Sequence, residues 1–257
     1  MPVKLSVANQ KGGVGKTSTA LALAFGIAKL KEQAKVLFID LDSQGNASAI
    51  LGKNKSFTAE ESIFSIFSGN KLNSSHIHNS DLDNLFFCPS SLKMAELDSM
   101  LANKLDGFFR LNDGLSQVSQ EFQFIIMDCP PSLSLATINS LVTANHLIIP
   151  LQVSKFSLDG IQVMQDAVKS IQSRYNPRLE ILGGLLTMFD ARTTLAQAML
   201  PELEKHLHIF SARIPKSVMI EEAHLMKSDI YDYAPNHKVS KSYMSFCNEV
   251  LLKAEAS

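Results

Sequence analysis

Apolar residues recur along this chain in two rhythms. Short, mainly apolar runs occupy Leu5–Ala8, Val36–Ile39, Leu85–Cys88, Phe124–Met127, His146–Pro150 and Ile181–Met188, and Val36–Ile39 and Phe124–Met127 show no alternation at all. Runs of this length without polar alternation predict strands covered on both faces, as in a parallel sheet. Between them the spacing turns helical. Helices are expected from Ser18 to about Leu30, over Glu61–Phe67, Leu92–Leu105, Phe108–Val118, Ser134–Thr143, Leu158–Tyr175 and Thr194–Leu207, and along an amphipathic tail, Ser240–Leu252. The region from Ser56 to Ser91 is the least regular. Strand and helix in alternation predict an α/β fold of three layers, a mostly parallel twisted sheet with helices on both faces. The length suits one domain over residues 1–257.

The first junction carries the strongest chemical signal. Lys11-Gly12-Gly13-Val14-Gly15-Lys16-Thr17 lies between a predicted strand and a predicted helix. It meets the second half of the phosphate-loop pattern G-x-x-x-x-G-K-[ST] in full and departs at the leading position. Glycines let the backbone curl so that successive N–H groups point at phosphates. Lys16 is then the β/γ-phosphate ligand, the Thr17 hydroxyl the Mg²⁺ ligand, and Ser18 completes the junction. The expected ligands are therefore ATP or a similar triphosphate, with Mg²⁺. Lys11 is extra. At the loop's entrance it is badly placed for its own β/γ-phosphates, but across a two-fold interface it can neutralise a neighbour's.

Two buried-type strands end in acids. Val36–Ile39 leads into Asp40-Leu41-Asp42, and Phe124–Met127 into Asp128. Carboxylates at the carboxyl ends of parallel strands are where an α/β nucleotide domain holds its metal, and Asp128 is the better metal ligand on position. Asp40 and Asp42 share one strand end, one suited to the metal shell and the other to the attacking water.

These motifs together resemble the deviant Walker A ATPases of the ParA/Soj type, a group of P-loop NTPases that includes MinD and the nitrogenase iron protein. The resemblance rests on Lys11 to Thr17, Asp40-Leu-Asp42-Ser-Gln-Gly-Asn46 and Met127-Asp-Cys-Pro-Pro-Ser132. It continues through Leu147–Gln152, Leu186–Arg192 and Ile214–Val218, and so covers nearly the whole chain. It implies that Lys11 is the signature lysine that reaches a dimer partner's nucleotide, so that Lys11, Lys16 and Asp42 are the catalytic set, with Asp42 the switch aspartate. It implies Asp40, Asp128 and Thr17 around the metal, and Met188, Pro215 and Lys216 near adenine. It also implies an ATP-dependent homodimer, non-specific DNA binding for chromosome or plasmid partition, and a ParB-like activator of slow hydrolysis.

Two departures qualify that reading. Ser43 stands where the family usually has proline, which frees a turn. The DNA-binding segment has Lys216 and Met219 where arginines are usual, followed by Glu221 and Glu222, which repel a phosphate backbone. Arg192, Lys216, Lys227, Lys238 and Lys241 are the remaining candidate DNA contacts. The alternative is a nucleotide-gated positioning adaptor for a protein cargo, with little or no DNA binding.

Composition adds exclusions. With 24 Lys+Arg against 25 Asp+Glu, long-range attraction to nucleic acid needs a local patch. Cys88, Cys129 and Cys247 form no zinc or disulfide pattern and read as buried reduced thiols. No signal peptide and no N-terminal helix-turn-helix are expected, because the loop begins near Lys11. No apolar stretch is long enough for a bilayer span, and acids in the tail predict a docked helix, not a membrane anchor. The expected location is cytoplasmic, nucleoid-associated if DNA binding is retained.

Overall fold

The structure is a computed structural model that describes residues 2–53, 55–154 and 157–255. Strand β1 (Val3–Val7) leads through the glycine loop into helix α1 (Lys16–Leu30), and the chain returns in β2 (Val36–Asp40). Short elements follow: α2 (Asn46–Leu51), α3 (Phe64–Phe67), β3 (His78–Asn79), β4 (Leu85–Cys88), α4 (Leu97–Leu101) and α5 (Arg110–Leu115). Regular alternation then resumes with β5 (Phe124–Asp128), α6 (Leu135–Thr143), β6 (His146–Leu151), α7 (Ser157–Arg174), β7 (Glu180–Leu186), α8 (Thr194–His206) and β8 (Ile209–Arg213). The chain closes with α9 (Met219–Leu225), α10 (Ile230–Tyr233) and α11 (Lys238–Ala254).

Among the described residues the strands form one sheet in the order β3-β4-β2-β5-β1-β6-β7-β8. Every neighbouring pair is parallel except β3 with β4. The unbroken apolar runs are explained by which face each residue serves. In β2, Val36 and Phe38 join the core under α1 and α11, while Leu37 and Ile39 join the core under α5 and α6. In β5, Phe124 and Ile126 serve the first face, Ile125 and Met127 the second. A strand buried on both sides has no polar side to show. The α/β three-layer expectation is met.

The expected tail helix docks as read. Tyr243, Phe246, Val250 and Leu251 are buried in the α11 face, and Phe210 meets Phe246 edge-on at 5.0 Å. No helix among the described residues is long and apolar enough to cross a membrane.

Local helix expectations fail in the irregular middle. Leu92–Leu105 is a 3₁₀ turn over Leu92–Glu96 followed by the short α4, and Phe108–Val118 shrinks to α5. The amides of Lys104 and Gly107 close successive turns onto Leu101 and Lys104, which breaks the helical ladder. Glu61–Phe67 shrinks to α3, since Thr58 and Glu61 bond each other's backbone instead. The helices α2, α9 and α10 are too short to set up a period, and β8, as long as β2, lies at the sheet edge and carries polar Ser211 and Arg213.

Candidate functional site

The site gathers where β1, β2, β5, β6 and β7 end. After Ala8 the backbone leaves the sheet, and Gly13 and Gly15 turn it with φ of 72° and 78°. At those angles an L side chain is strained by about 1–2 kcal/mol, so glycine is the residue the loop needs. Gly15 caps α1 without any side-chain bond, so the first amides of that helix are open to a ligand, and the helix dipole favours an anion there. The Thr187 hydroxyl fixes the loop from β7: it donates to the Val14 carbonyl at 2.9 Å and the Leu151 carbonyl at 3.2 Å.

Lys16 lies within the loop, and its ammonium donates to the Lys11 carbonyl at 2.9 Å. Burial pulls its pKa down, and the negative charge of Asp128 and Asp42 works against that. Lys11 is exposed; its ammonium donates to the Ser154 hydroxyl at 3.3 Å.

The three aspartates differ in kind. Asp40 and Asp128 pair in register on adjacent strands and both are buried. Asp40 is bonded on both oxygens: Oδ1 accepts from the Asp42 N–H at 3.1 Å, and Oδ2 from the Ser48 N–H at 2.8 Å and hydroxyl at 2.6 Å. Burial raises its pKa to about 6 against those bonds. Asp128 is pushed well above the usual range, first by burial and then by the Asp40 charge. Neither Asp128 oxygen has a hydrogen-bond partner; the Thr17 hydroxyl lies close enough to temper its charge without making a well-formed bond. A buried carboxylate with both oxygens orphaned beside a lysine and a threonine hydroxyl fits a hard divalent cation. Among the described residues no group of three or more His, Cys, Asp or Glu could hold a metal alone. Such a cation would complete its shell with phosphate oxygens and water, as Mg²⁺ usually does.

Asp42 sits in a turn closed without proline. Its Oδ1 accepts from the Gln44 N–H at 3.0 Å, and its carbonyl accepts from the Gly45 N–H at 2.9 Å. Met188, two residues beyond β7, has φ 49°, a strained angle for a side chain of its size, and the next amide, Phe189, donates to the Ile214 carbonyl at 2.9 Å. That bond brings the Met188 turn beside Pro215 and Lys216.

The proposed basic residues differ in their surroundings. Arg192 is 90 % exposed, yet its guanidinium is paired with Asp190 at 2.8 Å, which holds that carboxyl down at about 2. Lys238 also faces Asp190. Lys227 instead lines a cleft of about 470 Å³ with Phe25, Ile50, Met226 and Asp229. His224 adds no charge, since burial pushes it down to about 4. Val218, Leu225 and Met226 are exposed apolar residues on the same segment.

Sequence reasoning missed Asn9, Ser48, Ser154 and Thr187. Each acts by a hydrogen bond to a distant segment, which periodicity and motif spacing do not report.

A family model described as an AAA domain matches residues 3–181. The chain is 33% identical over 248 residues to the sporulation initiation inhibitor protein Soj of Bacillus subtilis, covering 96% of this chain and 97% of that one. It is 33% identical over 247 residues to the chromosome-partitioning ATPase Soj of Treponema pallidum, covering 95% of each. Among solved structures it is similar to cobyrinic acid a,c-diamide synthase from Mycobacterium smegmatis with bound ADP and magnesium. That match has a TM-score of 0.83 and 28% identity, over 100% of this chain and 96% of that one.

Proposed function

The chain belongs to the ParA/Soj-type partition ATPases of the ParA/MinD family, and from that premise we propose that it is an ATP-operated switch. One observation carries the reading: the orphaned, buried Asp128 carboxyl beside Thr17 and Lys16 at the mouth of the glycine loop. The amides from Gly12 to Ser18 and the Lys16 ammonium bind the triphosphate, while Met188, Pro215 and Lys216 flank the base. Thr17 and Asp128 hold Mg²⁺, with Asp40 acting behind them through Ser48 and the Asp42 turn. The bound Mg²⁺ supplies charge neutralisation at the β- and γ-phosphates. Lys16 exchanges the Lys11 carbonyl for phosphate oxygens. Asp42, whose charge reaches Lys16 and Asp128, orients the attacking water.

Lys11 completes the site of a second copy, so ATP binding and pairing are coupled. The ATP-bound homodimer binds DNA without sequence preference, and slow hydrolysis, quickened by a ParB-like protein, resets it. The switch then works in the cytoplasm, on the nucleoid, in chromosome or plasmid partition. Light scattering of an Asp42→Ala variant with Mg–ATP tests this: a dimer is expected with Lys11 intact and a monomer with Lys11→Ala. Pairing that survives Lys11→Ala would refute it.

A second reading is a positioning adaptor that carries protein cargo in place of DNA. It is favoured by the Arg192–Asp190 pair and by exposed Val218, Leu225 and Met226 beside Glu221 and Glu222. A gel shift with Mg–ATP separates the two. Binding that weakens steeply with salt supports the DNA switch; none at low salt supports the adaptor.

A further inference from the structure

We propose that Asn9 is a positioning residue that sets Lys11 for use across the dimer, an inference that rests on the switch reading above. The last main-chain bond between β1 and β6 runs from the Ala8 N–H to the Ile148 carbonyl at 3.2 Å. Beyond it the backbone departs, and the Asn9 side chain supplies the next rung. Its Nδ2 donates to the Pro150 carbonyl at 2.7 Å, and its Oδ1 accepts the Lys11 N–H at 3.1 Å. The residue is 4 % exposed, and its bond to Pro150 forms away from competing water.

The consequence falls on Lys11. Asn9 holds its N–H, and its carbonyl is held by the Lys16 ammonium at 2.9 Å. Its own ammonium rests on Ser154, whose N–H donates to the Ser157 hydroxyl at 2.8 Å in the segment that follows β6. The amide of Asn9 therefore ties the peptide of Lys11 to β6, the strand that leads into the segment holding its resting partner. When Lys16 turns to phosphate, the Lys11 carbonyl loses its donor. Asn9 is then the remaining side chain that fixes the direction in which Lys11 leaves the loop. Only a group that both donates and accepts can do this. Leucine fills the space and does neither. Aspartate accepts but, ionised, meets the Pro150 carbonyl with like charge.

The test uses the full chain in the Asp42→Ala background, with dimerisation in Mg–ATP and affinity for a fluorescent ATP analogue measured in parallel. Asn9→Leu is expected to weaken dimerisation at least about tenfold, the worth of one hydrogen bond, while analogue affinity changes by less than about threefold. Asn9→Asp is expected to dimerise better as the pH falls from about 8 to about 5.5, because burial at this position raises the new carboxyl and its protonated form regains the donor. The proposal is overturned if Asn9→Leu pairs like its parent, or if analogue affinity falls in the same proportion. Should Asn9→Leu fail to fold, Asn9→Asp decides: a pH response no different from its parent's overturns the proposal. Lys11→Ala separates the two levels. If it dimerises, the switch reading falls and this proposal with it; if it does not and Asn9→Leu does, only the role of Asn9 falls.

Discussion

Replacing Asp128 with asparagine should make the nucleotide-free protein more stable and at the same time unable to use Mg–ATP. The carboxyl is buried and unpartnered, and the neighbouring Asp40 charge raises its cost. An acid whose folded pKa is raised contributes full stability below its unfolded pKa and loses it as pH rises through the folded value. For Asp40 that window runs from the ordinary 3.8 to about 6, a cost of roughly 3 kcal/mol at 1.36 kcal/mol per unit. For Asp128 the window opens at the same point and extends higher. Asparagine removes the Asp128 contribution and leaves that of Asp40. In urea titrations the variant should therefore match wild type near pH 4 and exceed it by a margin that grows as the pH rises toward 8. Each 1 kcal/mol of that gain raises Tm by roughly 2–4 °C in a chain of this size. Because the comparison is between two proteins differing at one site, the titration of surface carboxylates cancels. Excess Mg–ATP should reverse the order, since only wild type gains the ligand's stabilisation. A variant less stable than wild type at pH 8, or an advantage that does not change with pH, would refute the reasoning.

Three further outcomes are expected. At Gly26 in α1 a Cβ would sit 2.4 Å from the Cys247 Sγ and 2.8 Å from the Tyr231 hydroxyl, so Gly26→Val should cost about 3 kcal/mol in urea unfolding, partly restored by Cys247→Ala. Phe246→Ala removes the ring that anchors α11 against Phe210 and should cost about 3–5 kcal/mol, read by calorimetry. Asp190→Asn frees the Arg192 guanidinium; if the DNA reading holds, binding at low salt strengthens and the slope of log K against log salt steepens by about one. An unchanged slope would count against Arg192 as a phosphate contact.

What could be read from the sequence follows from how far apart the cooperating residues lie. Gly12 to Thr17 form one short stretch between two patterned elements, and β2 and β5 declare themselves because burial on both faces leaves runs that are apolar up to the closing aspartate. Asn9 and Pro150, by contrast, are separated by 141 positions, and Thr187 and Val14 by 173. Such bonds depend on which strands lie side by side, and residue spacing does not encode that. The Leu92–Val118 stretch misled for the opposite reason. Its apolar residues have helical spacing, but Gly107 and the turns around Lys104 divide it into pieces too short to propagate a helix. The pairing of Arg192 with Asp190 was within reach, because acid and base stand two residues apart.

The bond from Ser48 to Asp40 makes a mechanical linkage of the short helix α2. Ser48 is bolted to β2 through the Asp40 carboxyl, and its oxygen also accepts the Ser90 N–H at 2.8 Å, which ties in the segment beyond β4. Asp42 lies upstream of that bolt, with Gly45 at φ 62° as the hinge; Ile50 and Leu51 lie downstream and floor the cleft shared with Phe25 and Met226. The Asp42 turn and the cleft floor therefore share one fixed point, Ser48, held both from β2 and from the segment beyond β4.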